Sequence, residues 1–207
     1  MSSGLFVDQN GNAAAMRDLV EMAGAMINSR QNVSPKRLHE PGPSPEQVEV
    51  MLAAAASAPD HGIITPWRFI IVPQEKRALL GNAFAAALTD RDPSASAEQI
   101  ASAREKAHRA PFLMVAIARL GPDDADIPDL ERVVSLGCAV QNVLLMAHAM
   151  GFGAGLTSGQ AMRSSRLHSL LGLADREQTI CCVNVGTVQK SKPARLRPSP
   201  AAFTTTL

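Results

Sequence analysis

The chain has 207 residues, 46% of them hydrophobic, which predicts a single domain with a sizeable buried core. Its 20 basic and 19 acidic residues nearly cancel, so the basic surface that a nucleic-acid-binding protein needs is missing. No apolar run in the sequence approaches the roughly 20 residues of a membrane span, and we therefore expect no membrane partner. Aromatic residues make up only 3%, so the core has to be aliphatic.

The three cysteines do not indicate a secreted protein, because an odd number without framework spacing predicts no disulfide scaffold. On a strand, Cys181 and Cys182 point to opposite faces, and we interpret them and Cys138 as small buried hydrophobic residues. Residues 1–12 are polar, are predicted to be flexible and lack the pattern of a signal peptide. A cytoplasmic location is the expectation, with residues 13–207 forming the domain.

Two helices are predicted first along the chain. Apolar residues recur at helical spacing over residues 13–28. The second helix begins at a capping box, in which Ser44 is the N-cap, Pro45 takes the first helical position and Gln47 is the third helical residue. Pro59 and Gly62 are predicted to end this helix.

The middle of the chain alternates between strands and helices, and its predicted elements are strands over 67–72 and 112–118 and helices over 75–88 and 98–109. Residues 121–129 hold four Asp and two Pro and are predicted to form a surface loop that is a candidate lid. Residues 131–150 form the most apolar helix, which is apolar nearly all round and is therefore expected to be buried on several sides. In a chain of this size, that indicates a partner subunit covering one side.

The last third is predicted to contain a short strand ending at Thr157, a helix over 161–171 and a strand over 179–188. The tail from Gln189 is rich in Pro and Arg and has no periodicity, as in tails that wrap a neighbouring subunit. About four strands among six helices predict an α+β fold or a three-layer α/β sandwich.

The familiar short motifs are missing from the sequence. It has no Gly-x-Gly-x-x-Gly between a strand and a helix, no P-loop, no nucleophile elbow and no pair of histidines at metal-ligand spacing. We therefore predict no metal site and no Rossmann site.

Three polar or glycine-rich segments remain as candidates for ligand binding. The first is Ser29-Arg30-Gln31-Asn32 with Lys36-Arg37, where arginine forks and neutral donors suit a phosphate. The second, residues 58–67, contains Asp60 and His61 between prolines, which leave backbone N–H groups free to face a ligand. The third, residues 153–159, has glycines that permit a flat or anionic ligand to approach the backbone. Gly186-Thr187 with Lys190 and Lys192 would add phosphate contacts.

Together these segments resemble the nitroreductase family, and closely its small YdjA-like subgroup of NAD(P)H nitroreductases. The most specific match is Ala58-Pro59-Asp60-His61 followed by Pro66-Trp67. Further matches are Ile27 to Arg30, Arg37-Leu38, Glu40-Pro41, Gly137 to Val140, Met150 to Gly153, Ser158-Gly159 and Gly186-Thr187. The resemblance covers about residues 20 to 203.

The resemblance implies an α+β, three-layer sandwich with a mainly antiparallel central sheet, which forms a homodimer and binds FMN at the subunit interface. It also implies NADH or NADPH as electron donor and a small-molecule acceptor. The residues that it places around FMN are Ser29, Arg30, Gln31, Asn32, Arg37, Ser57, His61, Leu156, Thr157, Ser158 and Lys192. Arg37 or a backbone amide would stabilise the reduced flavin, and no acid–base residue is assigned, because the flavin carries the chemistry.

Two departures from the family pattern bear on function. Leu156-Thr157 stands where the subgroup carries Trp-Arg, which widens the pocket or removes a charge that contacts the nicotinamide donor. Ser29-Arg30 stands where many members carry two arginines. The alternatives to a reductase are a flavin-binding or redox-sensing protein without turnover, the same fold with another reaction, and a cofactor-free interaction protein.

Overall fold

The computed structural model describes residues 13–121, 126–190, 193 and 196–207. The segment predicted to be flexible, 1–12, lies outside these residues, as do Lys192 and residues 122–125 of the predicted lid loop. The described ranges contain six α-helices: α1 (Ala13–Ser29), α2 (Pro45–Ala56), α3 (Arg77–Arg91), α4 (Ala97–Glu105), α5 (Asp129–Ala149) and α6 (Ser165–Leu170).

Four strands form one sheet, and they are β1 (Trp67–Ile71), β2 (Phe112–Arg119), β3 (Gly153–Thr157) and β4 (Glu177–Gly186). Their order is β1-β2-β4-β3, and every neighbouring pair is antiparallel. Helices pack on both faces of this sheet, which confirms the predicted α+β sandwich with an antiparallel centre.

Local sequence signals set several element boundaries. The predicted capping box of α2 is present: Ser44 Oγ accepts from the Gln47 backbone, and the Gln47 side chain accepts from the Ser44 backbone. The helices predicted over 98–109 and 161–171 are shorter than expected, and the one predicted over 75–88 begins two residues later, because single 3-10 turns take part of their ranges. These turns are Gln74–Lys76, Lys106–His108 and Gln160–Arg163.

The sheet separates two aliphatic clusters. One face packs against α2 and α5 and buries Cys181, whereas the opposite face packs against α3 and α6 and buries Cys182. The prediction that these two thiols point to opposite faces is therefore confirmed. Cys138 of α5 differs from the prediction, since it is only half-buried.

Helix α5 is the central core helix, and among the described residues it is the one helix long and apolar enough to cross a membrane. Eight of its residues are buried within the domain, which identifies it as a core helix instead. Near its N-terminus, however, Leu130 is 80% and Val134 65% exposed. The predicted burial on several sides is thus incomplete within one subunit.

Candidate functional site

The segment after α1 packs directly along the edge strand β3. Asn32 forms a parallel bridge with Ala154, and the Val33 N–H donates to the Ala154 carbonyl at 2.9 Å. The Leu156 N–H donates to Asn32 Oδ1 at 2.9 Å. A Cβ on Gly155 would overlap the Val33 carbonyl, so this glycine admits the chain's own backbone. The expectation that the glycines of β3 admit a ligand is wrong for Gly155.

This packing shapes a cavity of about 370 Å³, which we call the arginine cavity. It is lined by residues of the post-α1 segment, the end of α5, the start of β3 and the C-terminal tail: Ser29, Arg30, Gln31, Asn32, Val33, Ser34, Arg37, Leu144, His148, Gly151, Phe152, Gly153, Ala154, Val188 and Arg197. Five predicted site residues, Ser29 to Asn32 and Arg37, therefore lie together.

The arginine cavity is cationic. Its lining includes Arg30, Arg37 and Arg197, and no carboxylate is among the described residues that line it. Arg30 Nε is buried without a hydrogen-bond partner, whereas the Arg37 guanidinium donates to the Lys190 carbonyl. Arg197 reaches the Arg30 carbonyl at 3.4 Å and so brings the tail to this wall. A buried guanidinium N–H without an acceptor is suited to an anionic ligand.

Sequence reasoning missed two ionisable side chains of this cavity, His148 and Arg197. His148 Nε2 lies 2.7 Å from Ser29 Oγ, which joins the last turn of α5 to the end of α1. The sequence could have indicated His148, because this residue lies in the final turn of a predicted apolar helix, shortly before the glycine-rich segment 153–159. Nothing in the sequence of the tail distinguished Arg197 from its neighbours.

A second, wider cavity of about 610 Å³ adjoins the first, and Ser34 lines both. The predicted site residues Thr157 and Ser158 line this wide cavity, whereas Leu156 is not part of its lining. Opposite them lies a cationic wall that the sequence analysis missed: Arg91, Lys106 and Arg109. Its floor is apolar and includes Phe84, Leu113, Met162 and Cys182.

Arg109 pairs with Glu105 at the surface, and buried contacts of Arg77 fix the neighbouring backbone. Arg109 Nη2 donates to Glu105 at 2.9 Å, while its Nε is buried without a partner. Arg77, only 1% exposed, donates to the Val72, Ala107 and Pro111 carbonyls at 2.7, 2.8 and 3.2 Å. Burial lowers the pKa of Arg77 from its ordinary value. Arg77 thus links the residues after β1 and before β2 to the 3-10 turn Lys106–His108, which carries Lys106.

The thiol on the floor of the wide cavity is not a nucleophile. Burial raises the pKa of Cys182 to about 12, so the thiol stays protonated near neutral pH. Asn184 Nδ2 donates to Thr157 Oγ1 at 3.1 Å, and this bond fixes the Thr157 side chain from beneath. Ser158 is exposed at the rim.

Ser57 and His61 lie elsewhere on the subunit and line neither of these two cavities. His61 Nδ1 pairs with Glu131 Oε1 at 2.7 Å, and the His61 side chain is 64% exposed. Asp60 Oδ2 accepts from the Thr65 N–H at 2.7 Å, so this predicted free backbone donor is satisfied within the loop. Lys192 lies outside the described residues. One subunit therefore assembles part of the predicted site and leaves the Asp-His loop apart.

The comparisons with known proteins agree with this geometry. The family model described as "Nitroreductase family" matches residues 30–187, which include all the residues lining the two cavities except Ser29, Val188 and Arg197. The chain belongs to the nitroreductase family. Nitroreductases are oxidoreductases, so the chain is assigned to an enzyme class that transfers electrons, as its sequence predicted.

Two curated relatives have similar lengths to this chain. The Haemophilus influenzae protein named "Putative NAD(P)H nitroreductase" is 34% identical over 154 residues, which are 74% of this chain and 83% of that protein. YdjA of Escherichia coli, which has the same descriptive name, is 31% identical over 183 residues, or 87% of this chain and 96% of that protein.

Solved structures confirm the fold. A nitroreductase-like family protein from Bacillus cereus has a TM-score of 0.77 at 18% identity, covering 89% of this chain and 95% of that chain. A variant of NfnB, described as an FMN and NADPH-dependent nitroreductase from a sphigopyxis strain, has a TM-score of 0.70 at 16% identity, covering 89% and 98%.

Proposed function

We propose that this nitroreductase-family chain is an FMN-dependent enzyme that acts as a homodimer. It takes a hydride from NADH or NADPH and passes electrons to nitroaromatic, quinone or related acceptors, with donor and acceptor reacting in turn at one site. The names of the curated relatives support the nicotinamide donor. The description of NfnB supports both FMN and NADPH.

The observation that carries this proposal is the arginine cavity. FMN ends in a phosphate monoester, and guanidinium groups bind phosphate through paired charge-assisted hydrogen bonds. Arg30 Nε, buried without a partner, supplies a donor that the folded chain leaves unused. Asn32, held at the start of β3 by its bond to Leu156, supplies the amide beside it. The residues present therefore fit a phosphate.

The wide cavity is suited to the flat part of the same cofactor, because its apolar floor adjoins the arginine cavity at Ser34. When bound, the flavin ring supplies the hydride-accepting chemistry that the protein lacks. A reduced ring would carry negative charge, and Lys106 and Arg109 are two of the three cations, with Arg91, among the described residues that line this cavity. We assign the charge-stabilising role to them in preference to Arg37, which lines the arginine cavity.

A second copy of the chain is the proposed partner. Leu130, Val134 and Ile63 are exposed apolar residues around the His61–Glu131 pair, and such a patch is typical of an interface. Phe203 in the tail is 68% exposed, which is consistent with a tail that covers a neighbouring subunit. In the dimer we expect the Ser57–His61 segment of one subunit to reach the flavin of the other. The location that we propose is cytoplasmic.

A flavin-binding protein without turnover is the second candidate. Thr157, which lines the wide cavity, and its neighbour Leu156 provide no cation, and the Thr157 hydroxyl is engaged by Asn184. The phosphate or carboxamide of NADH or NADPH would then lack a charged partner at these two positions. Reduction of the flavin would be slow, while flavin binding would stay intact.

The visible spectrum of the purified protein tests both candidates. We expect a flavin absorption band that disappears when NADH or NADPH is added without oxygen and returns when a quinone or nitroaromatic is added. A flavin band that neither nicotinamide bleaches would favour the candidate without turnover. A colourless protein that takes up no FMN would refute both.

A further inference from the structure

The carboxyl end of α5 forms one wall of the arginine cavity, and a helix C-terminus is unfavourable for an anion. His148, Gly151 and Phe152 line the cavity on this side. The aligned peptide dipoles of a helix place roughly half a negative charge at its C-terminus. A phosphate held by the arginines would be repelled from this wall unless a cation lies between them.

His148 lies where that cation is needed. It belongs to the last turn of α5, it lines the cavity, and its Nε2 is 2.7 Å from Ser29 Oγ. The Ser29 hydroxyl donates its single proton to the Ala25 carbonyl at 2.6 Å, so Nε2–H of His148 donates to Ser29 Oγ. Nδ1 then remains as the nitrogen that can accept a proton.

We propose that His148, held in place by Ser29, is a further phosphate-binding residue, and that it binds the FMN phosphate as an imidazolium. This inference rests on the proposed function, because FMN is the anion that it assigns to the cavity. The proposed contact uses both ring nitrogens, because Nε2–H donates to Ser29 and Nδ1 carries a proton for the phosphate only in the imidazolium.

The charged groups around His148 couple its protonation to the phosphate. Arg30, Arg37 and Arg197 line the same cavity and repel an imidazolium until an anion enters. A phosphate dianion removes this repulsion and attracts the proton, so the ligand and the proton bind together. The dipole of α5 acts in the same direction, because a helix C-terminus favours a cation.

Among the described residues, no carboxylate lines the cavity beside this imidazole. Glu21, the carboxylate of α1 closest in sequence to Ser29, precedes it by eight residues, or about 12 Å along the helix. Asp129 and Glu131 of α5 lie in its first turn, at the opposite end of the helix from His148. No carboxylate of the described residues in the cavity lining is therefore present to compete with a phosphate for His148.

The test is a set of flavin titrations on protein freed of cofactor. Dissociation constants for FMN and for riboflavin, which lacks the phosphate, are measured by flavin fluorescence between about pH 5.5 and 8.5. At about pH 6, we expect His148→Gln to weaken FMN binding roughly tenfold and to leave riboflavin binding unchanged. The difference from the wild type should shrink towards about pH 8. The phosphate of FMN also titrates in this pH range, and its titration in solution is the same for all variants. Comparing each variant with the wild type at the same pH therefore removes this contribution.

Two further variants complete the design. His168→Gln, in the last turn of α6 and outside the lining of both cavities, should match the wild type at every pH. His148→Arg keeps the positive charge, and it should bind FMN tightly with a flattened pH profile, which also shows that the site folds without histidine.

Failure of the proposed function and failure of the His148 role give different results in these titrations. A wild-type protein that binds no FMN overturns the proposed function and this inference together. Normal FMN binding by the wild type with less than a twofold change in His148→Gln at about pH 6 overturns only the role of His148. So does an equal loss of affinity for riboflavin, because that would indicate a structural role.

Discussion

The post-α1 segment and the Asp-His loop both match the nitroreductase pattern, yet the subunit treats them differently. Residues 29–37 form a cavity with α5 and β3 through contacts within one chain. The loop over 58–66 instead lines neither cavity, and its His61 pairs with Glu131 at the surface. One region is therefore assembled within the subunit, and the other lies apart from it. Under the proposed function, a single subunit holds the phosphate end of FMN, and the loop of the second subunit completes the site.

Mixing two variants with low activity is expected to give the largest effect, which is a recovery of reductase activity. Arg30→Ala and His61→Ala are each expected to have low reductase activity. If Arg30 of one subunit and His61 of the other serve the same flavin, each mixed dimer contains one intact site. Random exchange makes about half of the dimers mixed, so mixing should restore about a quarter of the wild-type activity. Each variant incubated alone is the control, and activity that does not rise on mixing would show that both residues serve the same subunit's site.

Gly155→Ala tests the region that folding assembles. The added Cβ would overlap the Val33 carbonyl, so the segment that carries Arg30 and Asn32 must shift. We expect a loss of about 1–3 kcal/mol in the free energy of unfolding, as for other overpacked sites, together with weaker FMN binding. Gly24→Ala in α1, where a Cβ meets nothing within 4 Å, is the matched control for denaturant melts and titrations. Unchanged stability and affinity in Gly155→Ala would contradict this packing.

Glu177 provides a smaller test at the sheet edge that supports the Asp-His loop. The Arg68 guanidinium binds Glu177 bidentately at 2.6 Å and, as the main cause, lowers the pKa of this carboxyl to about 2. A lowered pKa stabilises the fold above the ordinary value of 4.5, and this stabilisation is lost as the pH falls towards about 2.

We expect Glu177→Gln to cost about 2 kcal/mol at neutral pH, discounted for the partial exposure of Arg68. The difference from the wild type should decrease below the ordinary pKa of the carboxyl, while FMN affinity stays the same because Glu177 and Arg68 line neither cavity. Glu98→Gln on exposed α4 is the control. A cost that does not change as the pH is lowered would refute the linkage.

The sequence predicted the elements better than it predicted the site. Residue patterns identified the strands and long helices, and the Ser44 capping box fixed the start of α2, because these signals act over a few neighbouring residues. The family resemblance, confirmed by the match over residues 30–187, rests on the same local motifs.

Tertiary contacts explain what the sequence did not predict. Lys106 and Arg109 belong to a polar stretch that resembles any exposed helix end, and only the packing of α3 and α4 turns them towards β3. His148 is separated from Ser29 by 119 positions in the chain, so no spacing rule connects them. Gly155 was assigned to a ligand because a glycine permits close approach, but its neighbour is the chain's own backbone.

The most direct measurement of the central claim compares FMN with riboflavin in Arg30→Ala. If Arg30 binds the cofactor phosphate, FMN affinity should fall roughly 10- to 100-fold while riboflavin affinity stays near that of the wild type. Arg17→Ala, on the exposed face of α1, should change neither constant. Unaltered FMN binding by Arg30→Ala, or an equal loss for both flavins, would contradict the assignment of this cavity to the phosphate.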